Sequence, residues 1–127
     1  MTTFLIADDS PDKTSFLLEM LKRAHWYGTV LTAMTSEEAI DTINQSSDIA
    51  AAFIDYYIPS SNGPAIIRAL KKKFPNARVA LVSSADNESN TAQAVAVGAE
   101  RSICTSRPVD EVERSVLATL DAWKVAE

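Results

Sequence analysis

The sequence predicts an α/β fold with a doubly wound parallel sheet, and three observations carry that prediction. Short apolar runs alternate with longer helical periods from one end of the chain to the other. The runs at 4–7 and 50–54 are continuously apolar, which suits parallel strands covered on both faces. No linker, repeat or low-complexity tract interrupts the alternation, so one domain over 1–127 is expected, with no output domain in this chain.

Residues 4–7, Phe-Leu-Ile-Ala, read as the first strand. Ser10-Pro11 then starts a helix, because proline suits the first turn; Phe16, Leu17, Met20, Leu21 and Ala24 give it one apolar face as far as residue 25. Residues 29–32 read as a second strand, and Ser36 with Glu37 and Glu38 opens a second helix that turns Ala39, Ile40 and Ile43 one way. The third strand, 50–54, is followed by the loop Ile58–Gly63 and by a helix from Pro64 carrying Ile66, Ile67, Leu70 and Phe74. Residues 79–82 form the fourth strand, and 88–97 an alanine-rich helix closed by Gly98 as a natural C-cap. Ser102-Ile103-Cys104 is a weaker fifth strand, and 109–124 a final amphipathic helix with Val109, Val112, Val116, Leu120 and Trp123.

Composition narrows the function. A net charge of −5 without a basic patch speaks against direct nucleic-acid binding. Lys71-Lys72-Lys73, the one basic run, closes a helix, where cations suit the dipole and a solvated end is expected. One cysteine, Cys104, excludes an internal disulfide and fits a reducing compartment; a single histidine, His25, makes a zinc site a poor reading. No leader or spanning segment is visible, so a cytoplasmic, non-membrane protein is expected.

The strand ends carry the chemistry. Asp8 and Asp9 follow the first strand, Asp55 the third, Ser83 and Ser84 the fourth, and Thr105, Ser106, Arg107 and Pro108 the fifth. Taken singly, each has a plain explanation as a helix cap, a turn residue or a loop start. Taken together, they converge on the carboxyl edge of a parallel sheet, where ligands bind in such folds. Three carboxylates gathered there repel one another and require a cation or raised pKa values.

These motifs resemble the receiver domain of two-component response regulators over essentially the full length. The matching segments are Ile6-Ala7-Asp8-Asp9-Ser10, Phe53-Ile54-Asp55-Tyr56-Tyr57-Ile58-Pro59 with Gly63, Val82-Ser83-Ser84, Val97-Gly98-Ala99 and Arg107-Pro108. The resemblance implies a flavodoxin-like (βα)5 sheet in strand order 2-1-3-4-5. It also implies a phospho-acceptor switch in a phosphorelay, a signalling protein rather than an enzyme apart from chemistry on itself. Asp55 would take the phosphoryl group from a histidine kinase or phosphotransfer protein. Asp8, Asp9, Asp55 and the Tyr57 backbone carbonyl would hold Mg2+, and the Ser83 hydroxyl would bond a phosphoryl oxygen. The face of the fourth helix, fifth strand and fifth helix would meet a downstream partner or form a homodimer.

The chain departs from the family at the lysine that ends the fifth strand, since no lysine lies between Lys73 and Lys124. Counting without gaps from Gly98 puts Thr105 there. Matching by the following proline puts Arg107 there, and Arg107 is the preferred substitute because it restores a positive charge. The family's inward-turning aromatic on that strand has no clear counterpart, as Ser102 or Ile103 stands there. The second reading is a pseudo-receiver, an interaction module that keeps the fold without phosphate regulation. An aspartate phosphatase would want a second acid where Tyr57 stands, and a flavin phosphate loop would be repelled by Asp8 and Asp9.

Overall fold

Five parallel strands form one sheet in the order β2-β1-β3-β4-β5. The structure, a computed structural model, describes residues 3–85 and 87–125. In chain order the elements are β1 (Thr3–Ala7), α1 (Pro11–Arg23), β2 (Thr29–Ala33), α2 (Ser36–Gln45), β3 (Ala51–Ile54), α3 (Gly63–Lys73), β4 (Arg78–Ser83), α4 (Glu88–Ala96), β5 (Arg101–Cys104) and α5 (Val109–Val125). The expected alternation, strand order and element types are all observed, with ends displaced by one or two residues. No described helix is long and apolar enough to cross a membrane.

Strand parity divides the core into two layers. Leu5, Ala52, Ile54, Val79 and Leu81 pack with Ile43, Ile66 and Leu70 on one face of the sheet. Phe4, Ile6, Phe53 and Val82 pack with Leu17, Val116 and Trp123 on the other. β1, β3 and the body of β4 are buried from end to end, as continuously apolar parallel strands should be.

The displaced helix ends have local causes. α1 stops at Arg23 because His25 adopts a left-handed conformation (φ 59°), with Trp26 N–H donating to the Leu21 carbonyl and His25 N–H to that of Lys22. This pattern is normally built on glycine. Gly98 occupies the equivalent position after α4, with φ 120° and its N–H donating to the Val95 carbonyl, as its sequence position implied. The basic run 71–73 is more than a solvated helix end. Lys73 Nζ donates to the carbonyls of Ile43, Asn44 and Ser46, capping α2, which has no basic residue in its last turn. Lys71 Nζ reaches the Ala77 carbonyl at 2.8 Å.

The loop after β3 is bolted to the start of α2. Ser36 N–H donates to the Pro59 carbonyl, and the Ser36 and Ser60 hydroxyls lie 2.9 Å apart. At the other end of the loop, Gly63 N–H donates to the Tyr56 carbonyl at 2.8 Å. A Cβ on Gly63 would lie 2.4 Å from the Asp55 carbonyl oxygen, so only glycine permits this approach.

Candidate functional site

The ladder hydrogen bonds run past the ends of the strands and fix the acids. Asp8 N–H donates to the Ala33 carbonyl and Asp55 N–H to that of Ala7, each at 2.9 Å. Extended backbone alternates its side chains, so Asp8 shares the parity of Phe4 and Ile6, and Asp55 that of Ala51 and Phe53. Both therefore lean toward the layer of α1 and α5. Carboxylate oxygens of Asp8, Asp9 and Asp55 all lie within 4.8 Å of one another. Asp8 and Asp55 are 1% and 7% exposed, whereas Asp9 faces solvent.

Asp8 also organises the start of α1. Its Oδ1 accepts from Ser10 N–H at 2.9 Å, and Ser10 Oγ, as the helix N-cap, accepts from Lys13 N–H at 3.2 Å. Side chains of a helix point back toward its N-terminus, which brings the Lys13 ammonium over the acids. Lys13 Nζ lies 2.9 Å from Asp8 Oδ2 and 3.3 Å from Asp55 Oδ1, and donates to the Val82 carbonyl at 3.2 Å. One ammonium thus touches the ends of β1, β3 and β4. Its contact with Asp8 Oδ2 is ionic and poorly aligned, so that buried oxygen has no hydrogen-bond donor.

Burial pushes the Asp55 carboxyl up to about 6, with Lys13 opposing the shift and Asp8 and Asp9 adding to it. A divalent cation would reverse the balance. Two buried carboxylates, a third open to water and an undonated oxygen suit a hard ion that prefers oxygen ligands and retains several waters.

The remaining candidates surround this centre. Ser83 is buried at the end of β4, its Oγ accepting from Ala85 N–H at 3.2 Å, while Ser84 is exposed. Tyr57 lies in the loop after β3 with its ring exposed, and its hydroxyl accepts from Asn90 Nδ2 at 2.8 Å. Tyr56 donates through its hydroxyl to Gln93 at 2.8 Å, so both tyrosines tie the loop after β3 to α4. On β5, Ser102 is exposed and Ile103 is buried in the α1/α5 layer, so neither supplies an aromatic switch.

The end of β5 holds both candidates for the place of the family lysine. Thr105 N–H donates to the Ser83 carbonyl at 2.9 Å, which makes Thr105 the first residue past the strand beside the site. Thr105 and Lys13 line one groove of about 320 Å³, together with Phe16 and Val109. Arg107 is exposed two residues further on and lines a different depression with Ala85, Cys104 and Glu111. Among the described residues, the cation in contact with Asp55 is Lys13, which the sequence reading did not single out. One signal was available: Lys13 is a cation in a first helical turn, where the helix dipole disfavours it.

The chain matches the model of the response regulator receiver domain over residues 4–113. No curated protein matches it. Among solved structures it is similar to a CheY-like receiver domain protein from Methanospirillum hungatei, with 18% identity, TM-score 0.80, and 100% and 99% of the two chains covered. It is similar to the response regulator Rcp1 in a Mn2+-bound form, at 15% identity and TM-score 0.85 over 97% and 94% of the chains. A response regulator from Burkholderia pseudomallei, described with a phosphorylated aspartic acid and a calcium ion, is 19% identical with TM-score 0.75 over 99% of this chain and 72% of its own.

Proposed function

Because the chain belongs to the response regulator receiver domain family, we propose that it is a phospho-acceptor switch in two-component signalling, with Asp55 as the acceptor. The observation that carries this reading is the three-carboxylate cluster at the ends of β1 and β3, with Asp55 buried against a lysine. A carboxylate oxygen of Asp55 would attack the phosphorus of a phosphohistidine on a kinase or phosphotransfer protein. An O–P bond forms, the P–N bond breaks, and its electron pair returns to the imidazole. Asp8, Asp9, Asp55 and the Tyr57 carbonyl would hold Mg2+, which when bound neutralises charge on the acids and the transferring group. The Mn2+-bound and calcium-containing relatives support a divalent ion here. The Ser83 hydroxyl, buried at the end of the neighbouring strand, would bond a phosphoryl oxygen.

Phosphorylation would alter the face formed by α4, β5 and α5, which would meet a downstream partner or a second copy. Exposed Val95 on α4 and Val109 on α5 support a contact surface there. The protein would work in the cytoplasm, without direct contact with nucleic acid or membrane.

Intact mass after incubation with Mg2+ and acetyl phosphate tests the reading. One phosphoryl adduct is expected on the wild-type chain and none on Asp55→Asn. The missing lysine after β5, where Thr105 N–H meets the Ser83 carbonyl, favours a second reading, a pseudo-receiver that binds partners without phosphate. Absence of an adduct with every donor would establish that reading over the first.

A further inference from the structure

We infer that Lys13, reaching the site from α1, is the cation that binds the incoming phosphoryl group and stabilises its transfer, in place of a lysine at the end of β5. The inference rests on Asp55 being the acceptor.

Phosphoryl transfer to Asp55 replaces its single carboxylate charge with a dianionic phosphoryl group beside two further carboxylates, Asp8 and Asp9. Catalysis of such transfers is largely positioning and charge stabilisation, so a cation must face the reacting oxygen. Lys13 Nζ already lies 3.3 Å from Asp55 Oδ1 and is held between Asp8 and the Val82 carbonyl, with its side chain 14% exposed. Its place in the fold is otherwise unfavourable, since it stands in the first turn of α1, at the positive end of the helix dipole. The Asp8–Ser10–Lys13 hydrogen-bond chain supplies a reason: it aims the first turn of the helix at the acids.

Space at the end of β5 is consistent with the exchange. Thr105 is short and lines a groove together with Lys13. Arg107 opens onto another depression. In the transfer step the Asp55 oxygen forms its bond to phosphorus while the donor's P–O or P–N bond breaks and its electron pair leaves with the donor. The Lys13 ammonium would move from Asp55 Oδ1 to a phosphoryl oxygen and keep its proton throughout.

The test uses the full chain with Mg2+, acetyl phosphate as donor, and fluoroberyllate as a non-transferable phosphoryl mimic followed by 19F NMR. Lys13→Met keeps the aliphatic stem and removes the charge. It is expected to slow adduct formation by about a hundredfold and to weaken fluoroberyllate binding. Its affinity for Mg2+ should hold or rise, because a competing cation is gone; a merely structural loss would lower both affinities. Adding Thr105→Lys to Lys13→Met is expected to restore much of the rate by returning an ammonium from the β5 side. The inference alone is overturned if wild type forms the adduct and Lys13→Met forms it equally fast, or if Arg107→Ala loses more than Lys13→Met. No adduct and no fluoroberyllate binding on wild type would overturn the acceptor reading and this inference together.

Discussion

Asp55 gives up hydration at the sheet edge, and burial outweighs the attraction of Lys13, leaving its carboxyl titrating near 6 against 3.8 in an unfolded chain. A raised carboxyl pKa means that the folded state binds the proton more tightly. Its stabilising effect is therefore complete below about pH 4 and is lost as pH rises through 6. At pH 7.5 the ionised group weakens the metal-free fold by up to roughly 3 kcal/mol. Asp55→Asn should accordingly stabilise metal-free protein at pH 7.5 by on the order of 2 kcal/mol, and the gain should vanish at pH 4. Urea unfolding at the two pH values measures this, and equal gains at both would rule out ionisation as the cause. Gly63 tests position instead of charge. Gly63→Ala drives a methyl against the Asp55 carbonyl oxygen and should cost about 1–3 kcal/mol while slowing adduct formation, with every acid retained. Loss of rate without loss of Mg2+ binding would show that displacement of Asp55 is responsible.

The elements differ in how well their roles could be read in advance. β1 and β3 are unbroken apolar runs with acids at their ends, so their burial, parallel pairing and convergence followed from pattern alone. Lys13 did not follow, because its contact depends on the direction of a side chain in the first turn of α1 and on the angle at which α1 leaves β1. The end of β5 was harder still: spacing left Thr105 and Arg107 as rivals, and only the strand register places Thr105 beside Ser83. Lys73 shows the same limit, since its three carbonyl partners belong to a segment 27–30 residues away in sequence. Three charged hydrogen bonds at the end of α2 make Lys73→Met a test of that cap. Thermal unfolding should show a loss of about 1–2 kcal/mol for Lys73→Met, and little for the exposed neighbour Lys72→Met. Equal effects would mean that the three carbonyls are served as well by water.

At the scale of the whole molecule, the sheet separates two apolar layers that communicate through the strands and their ends. The aromatic residues are not shared evenly between them. Phe4 contacts the rings of Trp26, Phe53 and Trp123 at centroid distances of 5.4, 4.9 and 6.1 Å, all on the α1/α5 side. The chain has two tryptophans, so its entire indole emission arises from that one layer. Light absorbed at the red edge of the ultraviolet band therefore reports on half of the protein and is blind to the layer of α2, α3 and α4. Fluoroberyllate binding that disturbs Lys13 and α1 should change the emission intensity, whereas a response confined to α4 should leave it flat while altering the amide NMR spectrum. Substituting Trp26 and Trp123 one at a time would divide the signal between the segment that follows α1 and α5, and so give the protein an optical gauge of which side answers the phosphate.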